Sequence, residues 1–192
     1  MSASLDLGVV EEAREKAPFK MPRRRWRSLL AELQRRGDGL RESGAFLLAD
    51  RDGDRVVRVA YYDDLDAHCL TGGISFASSG FTELWRICGA ENLRVVADVH
   101  THPGTWVAQS EIDATNAMIA RVGHVAVIVP SYGDARCVDE CGVHIYLGSR
   151  RWIEVPADRA GAVVDVYGLF SAAQVADWWT ALNHIVGRGG SS

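Results

Sequence analysis

The sequence predicts an α/β protein: a single-domain α-β-α sandwich in which one mixed sheet carries helices on its faces. Three observations predict it. Short runs rich in β-branched residues alternate with stretches of helical period, the order that builds a sheet covered by helices. One of these runs, residues 124–129, is apolar at every position after His124, the pattern of a strand buried on both faces. The hydrophobic share of 47% over 192 residues is enough for one full core.

The elements follow in order. Residues 1–20 are mixed and charged and read as a loosely ordered N-terminal arm, which places the domain at 21–186. From Pro22 to Arg36 the apolar residues Trp26, Leu29, Leu30 and Leu33 recur at three- and four-residue steps, an amphipathic helix that Gly37 stops. Arginines 23–25 and 27 then form a solvated face. Residues 45–49 and 55–62 read as the two strands of a hairpin around the turn 50–54. A polar loop at 63–72 leads to a short strand at 74–77. Residues 79–88 have helical spacing (Phe81, Leu84, Trp85, Cys88). Residues 93–99 are a β-branched strand, and a helix runs from Ser110 to Arg121. After 124–129, Pro130 ends the strand. Residues 143–147 and 151–155 pair across a Gly-Ser turn. Ser171 to Val186 reads as a helix with Trp178, Trp179, Leu182 and Ile185 on one face, and 187–192 as a disordered tail.

Composition narrows the partners. A net charge of −4 suggests neither nucleic acid nor an anionic membrane surface. No apolar run approaches the ~20 residues of a transmembrane helix. No basic segment leads an apolar core near the N-terminus, so a signal peptide is not expected and the cytoplasm is. Cys69, Cys88, Cys137 and Cys141 have no paired close spacing of a zinc ribbon and are expected reduced. Of the 21 basic residues only Lys16 and Lys20 are lysine, the codon bias of a GC-rich, bacterial genome.

The chemistry concentrates at His100-Thr101-His102-Pro103, followed by Ser110 and Asp113. At the end of a strand, residues two apart face one way, so both imidazoles point to one side. Pro103 and Gly104 stop the strand. Ser110 suits the N-cap of the next helix, and Asp113 lies within one turn of it. Two imidazoles and one carboxylate leave a tetrahedral zinc one position for water, the arrangement of a catalytic and not a structural site. Asp98 shares the His100 face and is a candidate to orient its ring. His68, His124, His144 and His184 have no ligand spacing and read as ordinary histidines.

This pattern resembles the JAMM (MPN+ or JAB) zinc metalloproteases, with His100, His102, Pro103, Ser110 and Asp113 all matching over a resemblance that spans about residues 21–150. The resemblance implies a cytidine-deaminase-like JAB/MPN fold of the prokaryotic type. It implies one catalytic Zn2+ on His100, His102 and Asp113. An upstream glutamate of the family, the general base, falls on Glu42, which precedes the apolar run 45–48; Asp38 is the other acid between helix and strand, but does not adjoin that run. Ser110 is implied as hydrogen-bond donor to the developing oxyanion. The implied substrate is an amide or isopeptide bond after the C-terminal glycine of a ubiquitin-like protein, in deconjugation or precursor processing, with the loop 63–77 and Trp106 as walls of its binding site. The segments between core elements are short, which fits a bacterial modifier or sulfur-carrier precursor better than polyubiquitin. Two alternatives are a noncatalytic MPN scaffold that binds partner proteins, and a metallopeptidase acting on small peptides or cell-wall amides. Oligomeric state is left open by the sequence.

Overall fold

The computed structural model describes residues 7–71 and 73–168. The chain begins with α1 (Leu7–Lys16), β1 (Phe19–Pro22) and α2 (Arg23–Gly37). The hairpin is β2 (Gly44–Asp50) and β3 (Val56–Tyr61), followed by one turn of helix, α3 (Tyr62–Leu65). Next come α4 (Ser78–Ala90), β4 (Leu93–Thr101), α5 (Glu111–Thr115) and β5 (Val125–Val129). The described chain closes with β6 (Gly142–Gly148), β7 (Arg151–Val155), α6 (Ala160–Val163) and β8 (Val164–Tyr167).

A six-stranded mixed sheet of order β3-β2-β4-β5-β6-β7 organises the fold. The β4–β5 pair is parallel, with His100 opposite Ile128, and the other neighbours run antiparallel. Alternation along β2 divides the core as the pleat requires. Ala45, Leu47 and Ala49 join Trp26, Leu29 and Leu33 of α2 on one face. Phe46 and Leu48 join Leu84, Ile87 and Cys88 of α4 on the other. The expected α-β-α sandwich is therefore present. Helix α2 ends where Gly37 gives way to Asp38 in the left-handed conformation, whose N–H closes on the Gln34 carbonyl.

Four expectations differ from what is found. Residues 7–22 are not a loose arm: β1 pairs in parallel with β8, and Ala13, Ala17, Phe19 and Met21 are buried. The charge of this segment hid four small or apolar residues spaced for burial. The polar loop after residue 62 begins with the helical turn α3. The short strand at 74–77 is reduced to a single bridge between Leu70 and Ile74. The helix after Ser110 ends at Thr115 instead of Arg121, with Asn116 outside helical geometry. Strand β8 was not anticipated. The helix expected at 171–186 and the tail at 187–192 lie outside the described residues. Among the described residues no helix is long and apolar enough to cross a membrane, and all four cysteines are free thiols.

Candidate metal centre

Strand β4 is held by β2 on one side and β5 on the other, and its C-terminal end carries the histidines. His100 lies opposite Gly44, where any Cβ would overlap the Tyr62 ring. Beyond the strand, His102 stays in register because its N–H donates to the Val129 carbonyl at 2.9 Å, while its carbonyl accepts from Tyr132 N–H at 2.8 Å. The two rings lie 5.2 Å apart between centroids. Both histidines are buried.

Asp113 arrives from the first turn of α5. Ser110 is the N-cap of that helix and forms a capping box: its hydroxyl accepts from the Asp113 N–H at 3.2 Å, and Asp113 Oδ2 accepts from the Ser110 N–H at 2.9 Å. The Ser110 hydroxyl also donates to Asp113 Oδ2 at 2.6 Å. Asp113 Oδ1 lies 3.7 Å from His100 Nε2, and Oδ2 lies 3.5 Å from His102 Nε2. One ligand atom from each of the three residues falls within 4.8 Å of the others.

The far side of each imidazole decides which nitrogen faces inward. His102 Nδ1 lies 3.1 Å from the Trp106 carbonyl, and a carbonyl only accepts, so Nδ1 carries the proton and Nε2 a lone pair. The Trp106 indole also stacks on the His102 ring at 5.3 Å. His100 Nδ1 faces Asp98 Oδ2 at 3.6 Å, and its Nε2 is buried with no hydrogen-bond partner among the described residues. An orphaned buried nitrogen is costly unless something binds it. Two imidazole nitrogens and a carboxylate oxygen converging on one point form a donor set that fits a zinc ion, with the outer nitrogens held as in metal sites generally.

The electrostatics agree. Burial disfavours the charged form of Asp113, but the His100 and His102 rings and the Ser110 hydroxyl outweigh it and hold its carboxyl far below the usual range. Burial likewise opposes the charge on Asp98, which His100 and His124 bring down to about 2. Burial would lower the pKa of His100, yet the two carboxylates beside it push it up to about 10. Two carboxylates that attract this much positive charge in a buried place suit a divalent cation.

Glu42 enters from the turn before β2. Its neighbour Ser43 is pinned: the Ser43 hydroxyl donates to the Leu33 carbonyl at 2.8 Å, and its N–H donates to Thr101 Oγ1 at 3.0 Å. Glu42 is half-buried, and burial raises its pKa while the imidazoles of His100 and His102 pull the other way. His100, His102, Ser110 and Asp113 thus meet at one place, and Glu42 lies within electrostatic reach of the two imidazoles and Asp113.

Two histidines read as ordinary support this site. His124 Nε2 lies 2.6 Å from Asp98 Oδ1, and the Tyr62 hydroxyl donates to Asp98 Oδ2 at 3.3 Å, so Asp98 is held from both sides. His144 Nε2 donates to the Val107 carbonyl at 3.1 Å, tying the 103–109 loop to β6. Neither has a local signal: His124 depends on β5 lying beside β4, and His144 on β6 lying under the 103–109 loop, and spacing discloses neither.

No family model matches the chain. The fold is similar to the solution structure of protein DSY2949 from Desulfitobacterium hafniense, with a TM-score of 0.54 and 17% identity over 80% of this chain and 96% of that one. It is also similar to the crystal structure of AF2198, a JAB1/MPN domain protein from Archaeoglobus fulgidus, with a TM-score of 0.42 and 18% identity over 73% of this chain and 97% of that one. These are likenesses of fold.

Proposed function

We propose that this protein is a zinc-dependent amide hydrolase that cleaves after the C-terminal glycine of a ubiquitin-like protein. The observation that supports the hydrolase reading most is the convergence of His100 Nε2, His102 Nε2 and the Asp113 carboxylate, with the half-buried Glu42 within their electrostatic reach. The resemblance of the His-x-His-Pro and Ser-x-x-Asp motif to the JAMM metalloproteases supplies the substrate class.

Zinc on these three residues supplies Lewis-acid polarisation of a carbonyl and a water that is nucleophilic near neutral pH. The chain's own groups do the rest. Glu42, with a pKa lifted toward the working range, accepts the proton of the attacking water and delivers it to the leaving amine. The Trp106 carbonyl and Asp98 fix the two imidazoles against rotation. Ser110 holds Asp113 through the capping box, and its hydroxyl is the chain's donor that would serve a developing oxyanion beside a metal held by His100, His102 and Asp113. A noncatalytic scaffold has no use for this convergence of ligands and base.

The test is cleavage of a ubiquitin-like fusion by the zinc-loaded chain. Wild type cuts after the glycine, a chelator stops it, and Glu42→Gln keeps zinc but loses about 10²-fold or more in rate. Stoichiometric zinc with no cleavage of the fusion, but cleavage of short peptides or cell-wall amides, would replace the substrate and keep the chemistry. Full activity in Glu42→Gln would remove the base.

A further inference from the structure

Beside the metal centre a cleft of about 500 Å³ runs between the sheet and the segments that cover it. His100, Asp113, Asp98 and Ala126 of β5 belong to its lining. Ile74, Phe76, Met118 and Trp152 line it as well, together with the polar side chains of Ser75, Gln109 and Asn116. Helix α5 ends at Thr115, and Asn116, Ala117 and Met118 just beyond it line the opening. Phe76 is braced by the rings of Phe46, Tyr62 and Phe81, with centroids 4.7 to 5.5 Å away, so that part of the lining is firm. The Trp152 indole is fixed by its N–H donating to the Ala114 carbonyl at 3.1 Å.

A volume of this order holds a sizeable organic group. A glycine, having no side chain, leaves all of it unused. Given the proposed cleavage after glycine, on which this step rests, the group that fills the cleft belongs to the other side of the scissile amide. We infer that the cleft is the recognition pocket for a bulky apolar side chain on the residue that supplies the leaving amine. The preferred substrate is then a linear precursor in which the terminal glycine is followed by phenylalanine, leucine or a similar residue. An isopeptide-linked lysine presents only its methylene stem.

Binding is read independently of catalysis by titrating the full chain, with and without zinc, with L-phenylalaninamide or glycinamide. The Trp152 indole N–H resonance, assigned through Trp152→Phe, reports on the cleft. Phenylalaninamide shifts it saturably, and glycinamide binds at least roughly tenfold more weakly. Met118→Trp and Ile74→Trp, which fill the cleft from two separate segments of its lining, abolish the shift while keeping zinc. No shift with phenylalaninamide, equal shifts with both amides, or an unchanged shift in both filled variants overturns the assignment. In the second arm, ubiquitin-like precursors carry Phe, Leu or Asp after the glycine. The first two are cleaved roughly tenfold or more faster in kcat/KM. Equal rates overturn the pocket assignment. Binding of phenylalaninamide with no cleavage of any precursor overturns the functional reading instead.

Discussion

At the scale of single residues, the site depends on what stands behind each ligand. Asp98 is 2% exposed and receives hydrogen bonds or close approaches from His124, Tyr62 and His100 at once. Groups in this position commonly change metal affinity by 10–100-fold. Asp98→Asn is therefore expected to weaken zinc binding by about that factor, measured by competition with a chromophoric chelator. His102→Ala, which removes a ligand itself, is expected to lose stoichiometric zinc altogether. Equal affinity of Asp98→Asn and wild type would show that the Asp98 contact leaves the ring's orientation unaffected. The ligands were legible in the sequence because His-x-His and Ser-x-x-Asp are local, and strand and helix geometry then direct them to one place. Asp98 was legible only as a shared strand face, since its partners His124 and Tyr62 come from elements distant in sequence.

At the scale of elements, the 103–109 loop links the two halves of the site, carrying the Trp106 carbonyl toward His102 and leading into Ser110. It is held to β6 by His144, and a Cβ at Gly142 would overlap the Val107 carbonyl. Burial keeps the His144 pKa below its usual value, against the opposing pull of the Val107 carbonyl. The folded ring thus takes up a proton less readily than the unfolded one, so stability from this group is present above the unfolded pKa of ~6.5 and is lost as pH falls through and below it. His144→Gln removes that dependence. Thermal unfolding between pH 7.5 and 5.0 is expected to show a smaller loss of Tm for the variant than for wild type; parallel curves would contradict this. The cap itself is measurable separately: Ser110→Ala is expected to cost about 1 kcal/mol in denaturant unfolding.

At the scale of the molecule, the N-terminal segment belongs to the core. Phe19 and Met21 are fully buried on the α2 face, and β1 joins β8 in a second, two-stranded sheet. Phe19→Ala is expected to destabilise the fold by about 3–5 kcal/mol, whereas a loose arm would tolerate it with no change in the urea midpoint. The main sheet and the helices α2 and α4 were readable because their apolar residues keep a clear period of two or of three to four. The arm, β8 and the early end of α5 were not. Their states are set by long-range pairing of β1 with β8 and by the packing of residues 116–118 around the cleft, neither of which leaves a local period. Residues 116–118, just beyond that end of α5, line the inferred recognition pocket.

The claim that His100, His102 and Asp113 hold one zinc is tested most directly by zinc-edge X-ray absorption on the purified chain. The expected result is one zinc per chain with two imidazole nitrogens at about 2.0–2.1 Å, oxygen as the remaining ligands and no sulfur. Substoichiometric zinc, or sulfur scattering at about 2.3 Å from Cys69, Cys88, Cys137 or Cys141, would contradict it.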